Sequence, residues 1–185
     1  MKQAPAFLAP AVLALCLLGG CSTPPDDPAA PTTAAAAPSL AGATATDTGW
    51  IQLLIPMDDQ AARLLDLAAG RASAPEVAAW ATGHADEIHA ELAGLRPLLR
   101  RMGLPGTNVH RGHDMPGMVT EKDIARSRRL TGAAFDRFVL RELRDHFGHS
   151  RRVSRSAART AGNDEVRRLA ARIADRRSGQ LMSMP

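Results

Sequence analysis

His146 and His149 stand three residues apart, and Glu142 lies one helical turn before His146. On a helix that spacing presents two imidazoles and a carboxylate to one metal ion. Met57 offers a thioether from far upstream, and thioether with imidazole suits Cu(I) better than Zn(II) or iron. The competing reading makes His146 a core histidine bonded to Glu142, with Met57 as core filler. A second set, His110, His113, Met115 and Met118, falls in the Gly- and Pro-rich stretch from Gly103 to Val119. A flexible loop can wrap an ion with such residues, and a polar surface loop with docked methionines accounts for them equally well. Copper is therefore the cofactor these two sets suggest. His84 and His89 are five apart, which turns them away from each other on a helix, and they read as solvated.

Catalytic chemistry finds no comparable pattern. There is no Glu-x-x-His pair for a di-iron centre, no Gly-rich phosphate loop and no Gly-x-Ser-x-Gly elbow. The chain is expected not to be an enzyme.

The elements that would position these residues begin after a targeting segment. Lys2, the apolar run Ala6 to Leu18 and the tetrapeptide Leu18-Gly19-Gly20-Cys21 follow one another, and the tetrapeptide resembles the lipobox of bacterial lipoproteins. Residues 1–20 are then a signal peptide, and Cys21 is the lipidated residue. The location that follows is the extracytoplasmic face of the cell membrane, held there by lipid. Cys16 would be discarded and Cys21 acylated, which leaves no thiol for catalysis, metal binding or a disulfide. Residues 22–46 hold one large apolar side chain, Leu40, and read as a disordered tether. Residues 47–185 remain, enough for one domain.

That domain is rich in Ala, Leu and Arg, has no Tyr and shows no alternating β-branched runs, so an all-α fold is expected. Four main helices are expected over about 47–69 (kinked at Pro56), about 76–102, 132–161 and 164–181, with a short one near 121–129. Ser73-Ala74-Pro75-Glu76 reads as a capping box for the second, and Thr120 as the cap of the short one. A shift of 89 residues superposes Asp47 on Asp136, Glu76-Val77 on Glu165-Val166, Asp86 on Asp175 and Leu92 on Leu181. Two repeated helical hairpins make a four-helix bundle with pseudo-twofold symmetry. At a period of 3.6, Val139, Leu143, His146, Ser150, Val153 and Ala157 form the inward face of the third long helix. Arg137, Arg141, Arg144, Arg151, Arg155 and Arg159 form the opposite face. In the first helix Trp50, Leu54, Met57, Ala61, Leu64 and Ala68 turn inward, and Met57 is the repeat partner of His146.

Charge is uneven along the chain. Residues 1–120 carry 7 Lys and Arg against 11 Asp and Glu, whereas residues 121–185 carry 16 against 8. On an exported protein this basic half suits anionic lipid, a cell-wall polymer or an acidic partner protein, not nucleic acid. A solvated arginine face is the plainer account.

Three stretches carry a family resemblance: Ile55-Pro56-Met57-Asp58-Asp59-Gln60-Ala61, Met115-Pro116-Gly117-Met118-Val119-Thr120, and Phe135-Asp136-Arg137 leading to His146. With the repeat, they resemble the bacterial family catalogued as domain of unknown function 305 over roughly residues 47–184. The resemblance implies an exported, ferritin-like bundle, associated in some members with copper held by Met and His. The family typically shows a His-His pair in each half. Here the corresponding pairs are Met57-Asp58 and His146-Phe147, so one of the four histidines remains.

Overall fold

The computed structural model describes Leu40 and residues 43–185. The expected signal peptide, Cys21 and most of the expected tether lie outside the described residues. Five helices follow in order: α1 (Ala45–Arg71), α2 (Pro75–Arg101), α3 (Glu121–Arg129), α4 (Gly132–Thr160) and α5 (Asp164–Met182). No strand occurs among the described residues, and none of their helices is long and apolar enough to cross a membrane. The all-α bundle expected from periodicity is the fold observed. Helix α1 packs along α2, α4 along α5, and α1 against α4, while α3 bridges α1 and α4.

The inward faces follow the 3.6 period. Trp50, Leu54, Met57, Ala61, Leu64 and Ala68 of α1 are all buried, as are Val139, Leu143, His146, Ser150 and Ala157 of α4. Each large apolar side chain so buried contributes roughly 1.5–3 kcal/mol before entropy is counted. The core forms two apolar clusters. One gathers Leu64, Leu65, Ile88, Phe135, Phe138 and Phe147, with Ile124 of α3. The other gathers Trp50, Leu54, Leu95, Leu98, Val166 and Ile173. Four polar residues are buried with them: Asp58 of α1, Glu91 of α2, and His146 and Ser150 of α4.

The repeat is visible in how the hairpins close. At the start of α4, the Asp136 carboxylate accepts the Ser73 and Ala74 backbone N–H groups at 3.0 Å each, and the Ser73 hydroxyl as well. At the start of α1, the Asp47 carboxylate accepts the Gly162 and Asn163 backbone N–H groups at 3.1 Å each. These four donors are related by the same 89-residue shift as the two aspartates. Each hairpin thus grips the tight turn of the other. Burial would raise both carboxyls, yet both are held below the usual range by these accepted bonds, joined at Asp47 by those from the Thr44 hydroxyl and N–H.

The local ends differ from expectation in one place. Ser73 does not cap α2; the N-cap is Ala74, with no side-chain cap, because the Ser73 hydroxyl is committed to Asp136. Thr120 caps α3 as expected, in a reciprocal box with Asp123. Pro56 and Pro97 both lie inside assigned helix.

Candidate functional site

The candidate ligands do not converge as expected. His146 is fully buried on α4, but its partners come from other elements. Its Nδ1–H donates to the Gly117 carbonyl at 3.2 Å, which leaves Nε2 as the bare nitrogen. Glu142 is not its partner and instead pairs with Arg141 at 2.7 Å. The His149 Nδ1 lies 3.2 Å from the Asp145 carbonyl of its own helix. Among the described residues no three His, Cys, Asp or Glu side chains gather as a metal ion would require. The set His146, His149, Glu142 is therefore corrected: its members share a helix but serve three different neighbours. Met57 is buried as core.

What His146 does face is an ion-pair network absent from the sequence reading. The Arg177 guanidinium, on α5, is fully buried. Its Nη2 donates to Asp58 Oδ1 at 2.8 Å and to Glu91 Oε1 at 2.6 Å, and its Nε to Ser150 Oγ at 3.0 Å. Its Nη1 reaches Gln180 Oε1 at 3.1 Å. Glu91 takes a second guanidinium, Arg176 Nη1 at 2.7 Å, from the solvent side. Asp58 and His146 meet at 3.3 Å between Oδ1 and Nε2, without the alignment of a hydrogen bond, and Asp58 Oδ2 has no partner among the described residues. The four long helices thus each place at least one polar group in a single buried layer. Arg177 lies on the apolar stripe of α5 with Val166, Ala170 and Ile173, and Glu91 on that of α2 with Ile88 and Leu95. A charge in phase with an apolar stripe is the signal that could have revealed them.

Desolvation and the facing Asp58 carboxylate push Glu91 up to about 8, against the pull of Arg177 and Arg176. Burial, then the Arg177 charge, hold His146 down to about 3. The raised Glu91 pKa contributes stability that is complete below 4.5 and is lost as pH climbs to about 8. The depressed His146 pKa contributes stability that is complete above 6.5 and is lost as pH falls toward 3. Between 4.5 and 6.5 the two slopes oppose each other, so melting temperature against pH is expected to show a plateau there and to decline on both sides. Glu91→Gln should abolish the alkaline decline; its persistence would assign that limb to another group.

The connecting loop docks beside this layer. Gly117 has φ +76°, in the left-handed region, and a Cβ there would stand 2.3 Å from His149 Cβ and 3.0 Å from the Asp145 carbonyl oxygen. Only glycine lets the Met115-Pro116-Gly117-Met118 turn come close enough for its carbonyl to take the His146 proton. The His110 and His113 rings sit 6.0 Å apart, centre to centre. They line a cleft of about 530 Å³ with Asp114 and Met118, and Met115 lines an adjoining cleft that shares Asp114 and Met118 and adds Glu142 and Asp145. His84 is half-buried against Trp80 and contacts Glu87 and Ser183, so it is not simply solvated; His89 pairs with Asp66. On α4, Arg137, Arg141, Arg144, Arg155 and Arg159 are exposed, whereas Arg151 is half-buried with its Nε enclosed and unpartnered among the described residues.

The model of the family described as "Domain of unknown function (DUF305)" matches residues 47–185. The chain belongs to the DUF305 family. Among solved structures it resembles a DUF305 fragment from Deinococcus radiodurans, with 21% identity, a TM-score of 0.68, and 77% of this chain and 94% of that one covered. It also resembles a DUF305 protein from Streptomyces coelicolor, with 18% identity, a TM-score of 0.66, and 75% and 89% covered. At these identities the likeness is one of fold. No curated protein matches the chain. The copper that the family resemblance implies does not fit the middle of this DUF305 bundle. The place between the two carboxylates is filled by the Arg177 guanidinium, whose charge would repel a second cation beside it.

Proposed function

We propose that this DUF305 protein is a lipid-anchored, extracytoplasmic binding protein without catalytic chemistry, which lays the arginine face of α4 on an anionic membrane surface. One observation carries the reading. Arg137, Arg144, Arg155 and Arg159 project into solvent along a single helix, and Arg144, Arg155 and Arg159 make no ion pair or hydrogen bond among the described residues. Unneutralised arginines on one face attract phosphate-bearing headgroups at roughly 1 kcal/mol each near a charged surface. The lipobox-like Leu18-Gly19-Gly20-Cys21 would bring that face within reach of lipid, and the similar Streptomyces coelicolor protein is described as secreted. Sedimentation with phosphatidylglycerol vesicles tests the reading. For the unlipidated chain, binding should be strong at low salt, weak at high salt, absent from phosphatidylcholine vesicles, and lost when Arg137, Arg144, Arg155 and Arg159 become Gln. Indifference to both salt and substitution would dismiss the reading, and retention on isolated cell wall alone would replace lipid by a wall polymer.

A second reading places a copper ion in the connecting loop, where His110, His113 and Met118 line one cleft. It expects Cu(I) binding that is lost in the His110→Ala/His113→Ala variant. Equal affinity in that variant removes it.

A further inference from the structure

Ser183 follows the last residue of α5 and is exposed, while the next residue but one, Pro185, ends the chain and Met184 between them packs on the core. The Ser183 Oγ lies 3.1 Å from His84 Nε2, and on the far side of the ring His84 Nδ1 lies 3.0 Å from Glu87 Oε2. Gln180 Nε2–H donates to the same carboxylate oxygen at 3.0 Å. Burial would raise the Glu87 carboxyl, yet the bonds from His84 and Gln180 hold it below the usual range, so it is ionised at neutral pH. A carboxylate only accepts, so in the neutral ring Nδ1 carries the proton and Nε2 presents its lone pair to the serine. The Ser183 proton has two acceptors, that nitrogen and the Gln180 carbonyl at 3.3 Å, and Trp80 Nε1–H donates to the hydroxyl oxygen at 3.2 Å. The Trp80 ring meets the His84 ring edge-on, 4.9 Å between centres, which fixes the imidazole in that orientation. Under the 89-residue shift Trp80, His84, Glu87 and Ser183 fall on Leu169, Ile173, Arg176 and Gly94. The other half of the repeat packs without any of these groups at the matching stations, so the fold itself does not require them.

We propose that Ser183 is a nucleophilic serine, activated by His84 and oriented through Glu87, that takes up an acyl group from an activated carboxylic ester. A hydroxyl, a base and a carboxylate at successive hydrogen-bond distances are the parts this chemistry needs. In the step, Ser183 Oγ bonds to the acyl carbon, and the bond from that carbon to the alcohol oxygen breaks with its electron pair left on the oxygen. The Ser183 proton passes to His84 Nε2 and from there to the departing oxygen, while the Glu87 carboxylate stabilises the imidazolium between the two transfers. The product is an ester on Ser183 and a free alcohol. The site lies on α2 and the end of α5, apart from the arginine face of α4, and the inference concerns formation of this ester alone.

Incubation of the full chain with p-nitrophenyl acetate, followed by peptide mass mapping of the acetylated positions, tests this. Ser183 should gain the acetyl group well ahead of Ser156, which is exposed on α4 and serves as a comparison within the same molecule. His84→Gln should slow acetylation of Ser183 by about 100-fold, and Glu87→Gln by a smaller factor, with Ser156 unaffected in both. Ser183→Ala should lose the fast release of p-nitrophenolate. If His84→Gln does not fold, the comparison of Ser183 with Ser156 in the unsubstituted chain decides the matter. Continued release after the first equivalent, absent from Ser183→Ala, would support the nucleophile and overturn the non-catalytic reading above. The proposal is overturned if the two serines are acetylated at the same rate, if Ser183 reacts as fast in His84→Gln, or if the fast label maps to a histidine or lysine.

Discussion

Arg177→Met is expected to lower the unfolding free energy by about 3–5 kcal/mol, measured from the midpoint of urea unfolding. The methionine replaces most of the lost volume, so a cavity is not the main cause. The loss arises because Asp58, Glu91, Ser150 and Gln180 each lose a guanidinium donor in a layer from which water is excluded. If this account holds, taking the carboxylates away with the guanidinium should restore stability. The triple variant Asp58→Leu/Glu91→Leu/Arg177→Met is expected to match the unsubstituted protein or exceed it by about 1–4 kcal/mol, as buried ion pairs replaced whole often do. A single substitution costing under about 1 kcal/mol would mean that the four groups are not energetically coupled.

The second large effect is expected at the two aspartates that hold the hairpins together. Asp136→Ala removes the acceptor for two backbone N–H groups and one hydroxyl in the α1–α2 turn, and Asp47→Ala removes that for two N–H groups in the α4–α5 turn together with the Thr44 N–H and hydroxyl that it caps at the start of α1. Bonds to a carboxylate contribute roughly 1.5–3 kcal/mol each, offset in part by water that reaches the freed donors. Each variant should lose about 2–4 kcal/mol. The two turns share no partner, so the double variant should show the sum within about 0.5 kcal/mol. Because both carboxyls sit below their ordinary range, their stabilisation is present above the unfolded-state pKa of 3.8 and disappears as pH falls through the lower folded values. Acid titration of stability in Asp136→Ala should therefore be shallower than in the unsubstituted chain. An unaltered acid limb would show that the carboxylate acts through packing alone.

Much of this fold was legible in the sequence because helices announce themselves through period and repeat. The phase of α4 separated His146 from its arginines correctly, and the 89-residue shift relates the two aspartate grips to each other. The site was less legible, for a physical reason. Spacing along one helix reveals which side chains share a face, but not which carbonyl from another element takes a ring nitrogen. Gly117 turned His146 away from Glu142 and His149, and that contact spans 29 residues. Ser73 read as a helix cap for the same reason, since its competitor lies 63 residues on. Arg177 and Glu91 were passed over because charged residues are assigned by default to water; only their phase against Ile173 and Ile88 marks them as interior.

The crossed aspartate grips also bear on how such a molecule could have arisen. One hairpin alone would carry an aspartate without the distant turn it holds here, and a turn with nothing to hold it. Two copies of that hairpin, on separate chains, would satisfy each other by the same exchange. The bundle thus has the bonding pattern of a twofold dimer drawn onto a single chain, with the segment between α2 and α4 serving as the join. A duplicated and fused ancestor accounts for that pattern, and fusion is what would have allowed one half to acquire Arg177 while its counterpart kept Ile88.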